Sequence, residues 1–79
     1  MFKILKEYIK DEEFRLTIFQ DKIYAINYLK ILSLDDNRIS ILTSNSRIVI
    51  KGNKLILNKL LDNEILIKGE VDNIEVSYD

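Results

Sequence analysis

Two six-residue stretches decide how this chain is read: Arg47-Ile48-Val49-Ile50-Lys51-Gly52 (RIVIKG) and Glu64-Ile65-Leu66-Ile67-Lys68-Gly69 (EILIKG). They are near copies, and they contain both of the chain's two glycines, 17 residues apart. In each, isoleucines recur at every second position, as in a strand with one buried face. Ile48, Ile50, Ile65 and Ile67 are therefore expected in the core. A glycine just past such a strand allows a positive φ at a turn or bulge without a Cβ penalty. Gly52 and Gly69 are accordingly expected as turn residues, and the interval between them fits one hairpin. A weaker third copy, Ile31-Leu32-Ser33-Leu34-Asp35, begins 17 residues before Ile48. A fixed interval leaves a small stacked, solenoid-like repeat open beside a sandwich. A phosphate-binding loop needs clustered glycines, or G-x-x-x-x-G-K-[ST], at the start of a helix. Single glycines flanked by strands read as architecture instead.

The alternation extends in both directions. Upstream, Phe14, Leu16 and Ile18 share one face of a first strand, and Gln20-Asp21-Lys22 turns. The run IYAINYLKILSL divides into Ile23–Tyr28 and Lys30–Leu34 on its β-branched and aromatic content. Arg38–Thr43 forms the next strand, bounded by Asp35-Asp36-Asn37 and Ser44-Asn45-Ser46. Downstream, Leu55 and Leu57 open a run that ends at Asp62-Asn63, and Ile74, Val76 and Tyr78 alternate in a last strand. Asp-Asn occurs at 36–37, 62–63 and 72–73, and Asn tolerates turn conformations, so Asn37, Asn63 and Asn73 are expected as turn residues. The predicted core is Ile48, Ile50, Leu55, Leu57, Ile65, Ile67, Ile74 and Val76. Proline is absent, so nothing blocks ladder hydrogen bonding. Short strands with regular turn signals predict an all-β domain, sandwich-like and built of antiparallel hairpins, over residues 14–79. Residues 1–13 read as a short N-terminal helical arm: Phe2, Leu5 and Ile9 share a helical face. Packing on the domain itself explains that face more simply than docking on a partner or membrane.

Composition excludes much chemistry. The 79 residues contain no Cys and no His, which removes zinc-finger, haem and thiol-redox sites and the Ser-His-Asp and Cys-His triads. A chain this short builds one small core. The formal net charge of −1 gives no strong pull towards nucleic acid or an anionic membrane. No apolar run approaches the roughly 20 residues of a membrane span, and charges interrupt the N-terminus where a secretory signal needs an apolar stretch. No cofactor or metal is expected. Glu64 with Glu70, and Asp35 with Asp36, are the carboxylate pairs that could do glycosidase-type chemistry across a cleft; solvated turn carboxylates are the simpler reading. Lys51, Lys54, Lys59 and Lys68 would form a nucleic-acid face if they shared one side, which is the rival binding hypothesis. Leu42, Val49, Ile56 and Leu66 oppose the inward residues of their strands. Another sheet, the N-terminal arm or a partner must cover them.

The series RIVIKGNKLILNKLLDNEILIKGEVDNIEV resembles the YabP/YqfC family of sporulation proteins. Gly52, Leu55, Leu57, Leu60, Glu64, Ile65, Leu66, Ile67, Gly69, Val71 and Ile74 occupy that family's pattern in order. FRLTIF is similar to its arginine-led first strand, and Tyr24-Ala25-Ile26-Asn27-Tyr28 to its Tyr-x-x-Asn-Tyr stretch. The resemblance spans residues 14 to 78. It departs at Ser44-Asn45-Ser46 and at Tyr28-Leu29-Lys30, where the family often has glycine; Asn45 can meet the same backbone need. The resemblance implies a β-sandwich-like domain made in the mother cell of endospore-forming Firmicutes, in the cytoplasm or at the forespore surface. It implies a non-enzymatic structural or assembly role in cortex and coat maturation. Other sporulation or spore-envelope proteins, or further copies of the chain, would be its partners. It carries over no catalytic residue and no nucleic-acid partner.

Overall fold

The computed structural model describes residues 13–78. The expected arm over residues 1–13 lies, apart from Glu13, outside them. The described chain is all-β: six antiparallel strands form one sheet in the order β1-β2-β6-β5-β4-β3. The strands are β1 (Arg15–Ile18), β2 (Lys22–Ile26), β3 (Lys30–Leu34), β4 (Arg38–Leu42), β5 (Ser46–Leu61) and β6 (Glu64–Tyr78).

The last two strands are long, with 16 and 15 residues, and they correct the sequence reading. Four short strands were expected between Arg47 and Tyr78. Instead each glycine lies inside a strand, so neither Gly52 nor Gly69 is a turn between strands. The β5–β6 register shifts between Lys51 and Gly52 and again between Asn53 and Ile56. Bulges of this kind bend a strand without ending it. At Gly52 the need is space: a Cβ there would collide with the backbone oxygen of Glu70. At Gly69 the need is also conformational, because its φ is +127° and the space beside it holds the Lys54 carbonyl. Asn73 is likewise no turn residue. It pairs with Lys51 inside β6, because the ladder continues past Asp72. Asn37 lies between β3 and β4, and Asn63 in the two-residue turn between β5 and β6.

The bends divide the sheet into two halves with the same plan. In one half, β1 and β2 are followed by Glu64–Lys68 of β6 and then Ile56–Leu61 of β5. In the other, β3 and β4 are followed by Ser46–Lys51 of β5 and then Asn73–Tyr78 of β6. Exchanging β5 with β6 converts one plan into the other. The repeat in the sequence now has its explanation: RIVIKG and EILIKG are the first portions of β5 and β6 and fill the same place in each half. The third copy, at β3, is an edge strand with no equivalent role, and the hairpin order rules out a stacked solenoid.

A single flat layer would leave one face of its isoleucines in water. Here Ile23, Ala25, Ile65 and Ile67 of the first half join Ile39, Ile41, Ile48 and Ile50 of the second, with Leu55, in one buried cluster. Six of these isoleucines are almost wholly inaccessible. Burying each contributes on the order of 1.5–3 kcal/mol. Of the expected core, Leu57 and Ile74 pack against this cluster half-buried. Val76 does not belong to it: near the end of β6 it is 48% exposed.

Candidate interaction surface

Three side chains of one short stretch hold the tip of the β5–β6 hairpin. The Glu64 carboxylate beside the Tyr24 hydroxyl, through hydrogen-bonding interaction, raises the Tyr24 pKa above its ordinary value. Asn27 adopts a left-handed backbone (φ 67°) at the end of β2. Its amide oxygen accepts from Asn63 Nδ2 at 2.6 Å, and its own Nδ2 donates to the Glu13 carbonyl at 2.9 Å. Its backbone N–H donates to the Asn63 carbonyl at 2.8 Å. The Tyr28 hydroxyl lies 3.4 Å from the Asp62 carbonyl, a long contact. The Tyr-x-x-Asn-Tyr stretch was visible in the sequence, but its partners lie some 35 residues on and had no local signal. Asn45 could have met a glycine-like backbone need, but the described non-glycine residues with a positive φ are Asn27 and Lys54. The Ser44-Asn45 turn is held by Thr43, whose hydroxyl lies 2.6 Å from that of Ser46 and accepts from the Ser46 N–H at 3.0 Å. All three polar atoms are thereby partnered in a buried corner.

The carboxylate pairs do not make a site. Glu64 begins β6 opposite Ile26, whereas Glu70 lies beyond the bend opposite Asn53. At about 3.3 Å per residue, six residues separate them by roughly 20 Å along the strand. Asp35 and Asp36 are exposed in the β3–β4 turn.

The four lysines divide between the halves. Lys51 sits in the second half, its Nζ 2.7 Å from Glu75 Oε1. That bond holds the Glu75 carboxyl below its ordinary pKa, with a smaller contribution from Arg38. Lys68 sits in the first half opposite Lys22. Lys22 is paired with Asp21 at 3.1 Å, lowering the Asp21 pKa, and also lies 5.2 Å from the centre of the Phe19 ring. Lys54 and Lys59 are exposed on the second portion of β5.

Among the described residues, that portion of β5 is one of two long edges without a partner strand on their outer side. β4 pairs only with residues up to Lys51 of β5, and β2 only with residues up to Lys68 of β6. Leu55 still donates its N–H to Asp36. Beyond it, among the described residues, no strand pairs with the outer side of Ile56–Leu61 in β5 or of Val71–Tyr78 in β6. Both edges expose large apolar side chains: Ile56 (60%), Leu60 and Leu61 (60%) on one, Val76 and Tyr78 (75%) on the other. Among the four outward apolar residues foreseen, Ile56 is the one left open, while Val49 is buried and Leu42 and Leu66 are half-covered. A recess of about 310 Å³ lies beside the β6 edge, where Phe14 and Leu16 of the first half face Ile48, Val76 and Tyr78 of the second.

A protein-family model, described as the YabP family, matches residues 10–79. The chain belongs to the YabP family. The match takes in the whole described sheet, both glycine-closed copies and the Tyr24–Tyr28 stretch of this YabP-family protein. No curated protein and no solved structure matched it.

Proposed function

We propose that this YabP-family protein is a non-enzymatic structural or assembly factor of spore formation, acting in the mother cell during maturation of the cortex and coat. Family membership supplies the setting. The observation that carries an assembly role is the pair of free strand edges, each long enough to accept another strand and each bearing exposed apolar side chains. Strand addition to such an edge combines main-chain hydrogen bonds for affinity with side-chain contacts for choice of partner. Other spore-envelope proteins and further copies of the chain are the partners this surface suits.

Disruption of the gene in its endospore-forming host tests the role. The expected result is spores with a defective cortex or coat, restored by the wild-type gene and not by one encoding Ile56→Asp with Leu60→Asp. Normal spores from the disrupted strain would contradict it.

A further inference from the structure

The two free edges fill equivalent places in the two halves, yet their charges are opposite. Lys54–Leu61 of β5 reads Lys-Leu-Ile-Leu-Asn-Lys-Leu-Leu, with two lysines and no acid. Val71–Tyr78 of β6 reads Val-Asp-Asn-Ile-Glu-Val-Ser-Tyr, with two acids and no base. Charges on an exposed edge normally discourage strand addition. Here they discourage it selectively. Two β5 edges set side by side would bring two lysine-bearing strands together, and two β6 edges would bring Asp72 and Glu75 near their own kind. Like charges directly opposite on paired strands are destabilising, and opposite charges are favourable. Of the pairings between these two long edges, the one that charge favours is a β5 edge against a β6 edge.

We infer that the second copy of this chain is the occupant: the lysine-bearing β5 edge of one molecule pairs with the acidic β6 edge of the next. Such a contact is head-to-tail. Each molecule that joins presents another open edge, so the contact builds a ring or an open filament rather than a closed two-fold dimer. The unpaired stretches, Ile56–Leu61 of β5 with Lys54 just before it and Val71–Tyr78 of β6, both carry exposed apolar side chains, with Ile56, Leu60 and Leu61 meeting Val76 and Tyr78. Glu75 already holds Lys51, and a Lys54 or Lys59 brought beside it would extend that pair into a small network. This inference rests on the assembly reading above and names its partner.

Charge exchange tests it on the full chain. Wild-type protein is expected to grow in mass with concentration in sedimentation velocity at low salt. Growth should be weaker in 1 M salt, where the screening length is about 3 Å. Lys54→Glu with Lys59→Glu makes both edges acidic, and Asp72→Lys with Glu75→Lys makes both basic. Each variant alone is expected to stay monomeric. Mixed in equal amounts they should assemble, because the β5 edge of either variant then meets a β6 edge of opposite sign on the other. The substituted side chains are exposed, and circular dichroism checks that the sheet is retained; Asp72→Lys alone spares the Lys51–Glu75 pair and should already reduce assembly several-fold. A wild-type chain monomeric at every concentration would overturn the inference, as would assembly that ignores both reversals or a mixture that stays monomeric. A monomer whose gene is still needed for normal spores would sink this inference and leave the spore role standing. Assembly in solution by a protein whose loss leaves spores normal would do the reverse.

Discussion

At the scale of single residues, the bends of the sheet depend on backbone positions that side chains cannot share. Gly52 faces the Glu70 carbonyl, and Gly69 combines a φ of +127° with the Lys54 carbonyl. Alanine at either site forces the bend to open, and each substitution is expected to cost more than about 1 kcal/mol in urea unfolding. Unchanged midpoints would contradict the bend. Lys54 offers the opposite sign, because it holds a φ of 54° without being glycine. Lys54→Gly should therefore keep or raise the midpoint, although glycine inside a strand ordinarily costs about 0.5–1 kcal/mol. Asn27 combines a left-handed backbone with two side-chain hydrogen bonds. Asn27→Ala is expected to lose more stability than Asn27→Gly, since glycine forfeits the bonds but accepts the φ. Equal losses in thermal melts would mean the backbone is not strained there. The positions of both glycines were legible in the sequence as special. What they do was not, because a glycine at the end of an alternating run looks the same whether the chain turns or the strand bends.

At the scale of elements, the alternating runs were legible because one face of each is isoleucine-rich. The joining of four runs into β5 and β6 was not, since only the partner strand shows that pairing resumes beyond a bulge. Val76 shows the same limit: it alternates as a core residue should, but near the end of β6 it lines an open recess and stays about half exposed. The difference is measurable. Ile50→Ala in the buried cluster should cost about 2–5 kcal/mol, and Val76→Ala well under half of that. Comparable losses would place Val76 back in the core. The charged pairs give a pH dependence with a definite sign. The Lys51 ammonium lowers the folded-state pKa of Glu75, so its stabilisation is fully present above the ordinary value of 4.5. It is lost as pH falls through the lowered folded value, because the unfolded chain then binds more protons. Lys51→Ala should make stability fall less between neutral pH and about pH 3. An identical fall in both proteins would show that the pair contributes nothing.

At the scale of the whole molecule, one sheet folded at two glycine-marked bends buries a common core and, among the described residues, leaves the far portions of β5 and β6 without a strand on their outer side. The sequence repeat corresponds to this plan, and the all-β class followed from alternation alone. The free edges could not be read from the sequence, because which side of a strand lacks a neighbour depends on sheet order. The residues quoted for the family resemblance lie largely on the bends, the core and the hairpin clamp, which are what a shared fold requires. The central claim is that this fold serves spore assembly. The most direct measurement follows a fluorescently tagged copy through growth and sporulation of the host. The account predicts a signal that appears with sporulation and gathers around the developing forespore. A diffuse signal already present in vegetative cells and unchanged through sporulation would contradict it.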